Sequence, residues 1–92
     1  MKQLQMGRRM LQVLEDLDEN SPSIVKDIIL RVEGLEELPG RKRTKSIYSA
    51  FNYSLTRLLE HGLVEWVAPY RITEKGERYI RSCARTLHMK TI

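Results

Sequence analysis

The spacing of apolar residues changes character at Gly62, and that change commits the chain to a mixed architecture. Before it, apolar side chains recur every three or four positions, as helices require. After it they bunch into two short runs, "LVEWV" and "YRIT", rich in β-branched and aromatic residues and joined through Ala68-Pro69. Such runs read as a small hairpin. Thr73 can then cap a last helix, which carries Tyr79, Ile80, Cys83, Ala84 and Leu87 on one face.

Upstream of Gly62 the periodicity predicts three helices. Residues 2 to 18 carry two adjacent stripes, Leu4, Leu11 and Leu14 beside Met6, Met10, Val13 and Leu17. "NSPS" restarts the chain: Ser21 can cap, and Pro22 suits a first helical position. Ile24, Val25, Ile28, Ile29 and Val32 follow at helical spacing, with Gly34 as the stop. "LEELPGRKR" is a connection with a turn at Pro39-Gly40. The third helix is expected to begin near Thr44 or Ser46 and to end at His61, with Gly62 left-handed beyond it. Ile47, Phe51, Leu55 and Leu58 fall on its inner side, flanked by Ala50 and Leu59. Lys45, Ser49, Asn52, Tyr53, Thr56 and Glu60 fall on the other. The expected fold is α+β: three helices, a short hairpin and a C-terminal helix.

The 92 residues suit one domain, residues 1–92, with a core spanning about 8–82. The net charge of +4 is unevenly spread. Residues 41 to 62 set Arg41, Lys42, Arg43, Lys45 and Arg57 against Glu60 alone, whereas residues 15 to 40 hold eight acids against Lys26 and Arg31. Opposed patches of this kind steer an anionic partner to one side. Cations beside a helix N-terminus can neutralise phosphates, and the backbone N–H groups there favour anions too. The plain alternative is a solvated loop and an ordinary polar face.

The element order, with "LTRLLEHGLVEW" leading into "YRITEKGERYI", resembles the winged helix-turn-helix family, above all repressors of the PadR and MarR types. The matching pieces are Gly62, the pair Leu63-Val64, and Tyr70-Arg71-Ile72 running into Thr73-Glu74-Lys75-Gly76. The resemblance implies that the helix from about 46 to 61 enters the major groove of double-stranded DNA. Ser49, Asn52, Tyr53 and Thr56 would then reach base edges, and residues 41–45 would hold phosphates. Ser46, Arg57 and Arg71 complete the implied DNA-binding set. Two departures stand out: a longer segment between the second and third helices, and a wing reduced to "VAPY" with Arg71 as its only nearby cation.

The double stripe on the first helix and the apolar face of the last suit either of two arrangements. The terminal helices could join two copies in a homodimer, matching a palindromic site, or cover each other within one subunit. Trp66 is expected to cover the core from the hairpin. Catalysis finds no motif, no cofactor is called for, and His61, His88 and Cys83 lack metal-ligand spacing. A single cysteine fits a reducing cytoplasm. No apolar run reaches the roughly 20 residues of a membrane span. The expected function is therefore sequence-specific DNA binding by a cytoplasmic transcription regulator. The competing expectation is a winged-helix protein–protein interaction module in a larger complex.

Overall fold

A computed structural model describes residues 6–90 of the chain, with side chains through 82. The elements are α1 (Arg8–Asn20), α2 (Val25–Glu33), α3 (Arg41–Glu60), β1 (Val64–Trp66), β2 (Tyr70–Ile72) and α4 (Glu74–Lys90). The class is α+β, in the expected order. Leu4 and the side chains of Cys83, Ala84 and Leu87 lie outside the described residues. Among the described residues no helix is long and apolar enough to cross a membrane.

α1 is the centre of the molecule. Met10, Val13, Leu14 and Leu17 are buried and Met6 packs against them, whereas Leu11 of the other stripe is only half-buried. α2, α3, α4 and β2 all pack on α1. That face of α1 belongs to this chain's own core. The helix begins at Arg8 rather than near residue 2, because Gly7 is extended and N-caps it. It runs on to Asn20, whose side-chain amide donates back to the Asp16 carbonyl at 3.0 Å.

The start of α2 departs most from expectation. Ser21 and Pro22 do not open the helix, which is capped by Ile24 without a side-chain hydrogen bond. Residues 21–23 instead line the outer edge of the hairpin. Ser23 and Tyr70 exchange backbone hydrogen bonds of 2.9 and 3.1 Å, and the Ile72 N–H donates to the Ser21 hydroxyl at 3.0 Å. A free strand edge is thereby covered. Arg31 fixes the same segment, donating to Asp16 at 2.9 Å and to the Ser23 hydroxyl at 2.6 Å. Hydrogen bonding to Asp16 raises the guanidinium pKa, partial burial lowers it, and attraction to Asp16 and Asp27 raises it again.

α3 also starts earlier than expected. Gly40 is its N-cap, and Thr44, expected to cap from outside, lies within the first turns with its hydroxyl donating to the Pro39 carbonyl. Arg and Lys are good helix formers, so the basic run joins the helix instead of preceding it. The far end is as expected: Gly62 has φ 70°, and the Leu63 N–H donates to the Leu58 carbonyl at 3.0 Å. Leu63 turns inward there, into the core with Phe51, Leu55, Leu58, Val64 and Ile72.

β1 and β2 pair antiparallel, with Val64 opposite Ile72 and Trp66 opposite Tyr70. Trp66 does not cover the core. It is 61% exposed at the tip, its ring edge-on to Tyr70 with centroids 4.8 Å apart. Each strand holds only three residues, and Val67 beside Trp66 is exposed as well. Thr73 caps α4 as expected, accepting from the Gly76 N–H at 3.1 Å and donating to the Gly62 carbonyl at 2.6 Å.

That cap draws Gly76 onto the core. A Cβ there would collide with the Leu63 carbonyl and sit 2.7 Å from Ile72 Cγ1. Gly76→Ala should therefore destabilise the fold by about 1–3 kcal/mol through overpacking, despite a helix-propensity gain of about 1 kcal/mol. Thermal or urea unfolding reads this, and an alanine variant as stable as the parent would contradict the packing described.

Candidate nucleic-acid interface

Burying Phe51, Leu55 and Leu58 fixes the rotation of α3 about its axis. The opposite side is a continuous exposed strip: Lys42, Lys45, Ser46, Ser49, Asn52, Tyr53 and Thr56, closed at the C-terminal end by Glu60. Arg41 and Arg43 are exposed on the two flanks of the first turn. At 20 residues the helix is about 30 Å long. The strip thus runs from a cationic end through hydroxyl, amide and phenol groups that can donate and accept hydrogen bonds.

None of Arg41, Lys42, Arg43 and Lys45 forms an ion pair among the described residues. The first turn of α3 contains no acid, and no side chain caps it. Its cations therefore face the positive end of the helix dipole unneutralised, at a cost of about 0.3–1 kcal/mol each at low ionic strength. The other end is matched: the Lys75 ammonium donates to the His61 carbonyl at 2.8 Å, and Arg57 lies in the last turn.

Two expected contact residues are engaged elsewhere. Arg57 is half-buried, with Glu60 at 4.0 Å. Arg71 lies on β2 and donates through Nε to Glu65 at 2.9 Å. It faces an open groove of about 510 Å³ whose lining includes Asp18, Glu19, Glu65, Glu74 and Glu77. The structure thus groups Arg71 with carboxylates and the remaining cations with α3. Conversely, Arg8 and Arg9 lie beside Tyr53, a proximity no local pattern announces. Their sequence signal is only a pair of arginines opening a helix that lacks an acid in its first turn.

No protein-family model matches the chain, and no match is found among curated proteins or solved structures.

The misplaced charge at the start of α3 yields a prediction about stability. Lys42→Glu should stabilise the fold by up to about 1 kcal/mol at low salt, by replacing an unfavourable charge with a favourable one. Denaturation at low and high salt checks this. The gain should shrink as salt screens it, and a destabilised variant would mean that Lys42 has a structural partner.

Proposed function

We propose that this chain is a sequence-specific double-stranded DNA-binding protein of winged-helix type, acting in transcription regulation. In this reading α3 lies in the major groove, with Ser49, Asn52, Tyr53 and Thr56 toward base edges and the residues at 41–45 on phosphates. The single observation that carries it is the exposed strip of α3, cationic at its start and free of carboxylate until Glu60. Asn52 supplies the donor–acceptor pair that matches adenine, and hydroxyls can bond several base edges. A major groove about 12 Å wide admits a helix of this kind.

Homodimerisation belongs to the same proposal. A partner copy packing on the N- and C-terminal helices would align two α3 helices on a palindromic site. The exposed Trp66 and Val67 at the hairpin favour a second reading, in which the chain is a protein–protein module and that tip meets another protein.

Titrating duplex DNA at several salt concentrations separates the two. DNA binding predicts an affinity that falls steeply with salt, with a slope of about −0.9 per neutralised phosphate. Changing Arg41 and Arg43 to alanine should weaken binding to all duplexes alike and flatten the slope by about 2. Asn52→Ala should cost about 1–3 kcal/mol of discrimination at one base step while leaving the slope unchanged. Affinity indifferent to salt would discard the DNA reading and leave the protein-contact reading in place.

A further inference from the structure

The first turn of α1 packs against the middle of α3. Gly7, Arg8, Arg9 and Met10 on one side and Ala50 and Tyr53 on the other border an open groove of about 440 Å³. The Arg9 guanidinium carbon lies 5.5 Å from the centroid of the Phe51 ring. Phe51 is a core residue, 1% exposed, so a cation–π contact to the fixed interior sets the bearing of this arginine. Arg8 and Arg9 are both exposed, and neither forms an ion pair among the described residues. Tyr53, 67% exposed, is at once a wall of this groove and part of the outward strip of α3.

The chemistry of the groove narrows its occupant. Two guanidinium groups beside an apolar floor and a phenol ring suit a ligand that is anionic and also has a flat or aliphatic part. A sugar–phosphate strand has both, since phosphate accepts from guanidinium in a bidentate fork while the sugar lies along the ring. The position narrows it further. A helix seated in a major groove is walled by two phosphate strands, and the Tyr53 flank of α3 reaches one of them. On that flank α3 itself places Arg43 in its first turn and Arg57, half-buried beside Glu60, further along, so next to Tyr53 the exposed cations come from α1.

We propose that Arg8 and Arg9 form a second phosphate clamp, gripping the backbone strand that borders the major groove on the Tyr53 side of α3. This rests on the DNA reading above and extends it: the start of α1 and the start of α3 hold one duplex from two directions. The base-reading residues between them are thereby held in a single register.

The test compares duplex binding by wild type, Arg8→Ala, the pair R8A/R9A and the pair R8K/R9K at several salt concentrations, with unfolding curves for each. R8A/R9A should lower the salt slope by about 1–2, Arg8→Ala alone by about 1, and R8K/R9K should retain most of it. Arg8→Ala leaves the Arg9–Phe51 contact intact, so its effect does not depend on the stability of the core. Duplexes with single neutral methylphosphonate linkages add a second readout. One linkage should weaken wild type severalfold and R8A/R9A hardly at all. A steep wild-type slope that R8A/R9A leaves untouched would overturn the clamp alone. Salt-independent wild-type binding would overturn the clamp together with the DNA reading beneath it.

Discussion

The packing of α3 on α1 decides what every other part of the molecule can present. Phe51, Leu55 and Leu58 are essentially excluded from water, and a helix is stiff about its axis. Seating that edge leaves Lys42, Ser49, Tyr53 and Thr56 nowhere to point but outward. α1 can hold α3 in this way because it is apolar over a wide arc, meeting α2, α4 and β2 as well. One helix thus serves four neighbouring elements. A surface seated on buried side chains in this way suits a site that holds several groups in fixed register.

The four helix starts fall into two kinds. α2 and α4 carry acids in the first turn, Asp27 in one and Glu74 and Glu77 in the other, and Thr73 caps α4. α1 and α3 carry cations there, with no acid and no side-chain cap. A chain arranged for stability alone would treat all four alike, since acids at a start and cations at an end complement the dipole. The two unfavourable starts are the two that border the Tyr53 groove and the outward strip. An incoming polyanion would relieve both, and that is the physical ground for treating the charge as functional and not merely as a solvated surface.

Local chemistry made much of this fold legible in the sequence. Gly62, the hairpin runs and the Thr73 cap each announce themselves within a few residues, and all three stand where the spacing places them. What was not legible depends on contacts distant in the chain. Ser21 and Pro22 look like a helix start because capping rules see only neighbours, whereas Ser21 and Ser23 bond Ile72 and Tyr70, roughly fifty residues away. The basic run was expected before α3, because Thr44 and Ser46 are better caps than Gly40. The polar strip could be read from periodicity, and its exposure follows from the core. The nearness of Arg8 and Arg9 to Tyr53 could not be read this way, since it depends on how two helices cross.

The hairpin completes the division of the surface. Arg71, its one cation, is tied to Glu65, and the groove it faces is walled by carboxylates from α1, β1 and α4. A duplex approaching from that side would meet repulsion, while one approaching α3 would meet Lys42 and Lys45 unpaired among the described residues. Such polarity orients an encounter before any contact forms. The tip offers Trp66 and Val67 in place of a charge, so it can add apolar contact but no phosphate contact. In the proposed docking, affinity must therefore come from the helix starts. The hairpin is left with an exposed indole suited to a base step or to another protein's surface.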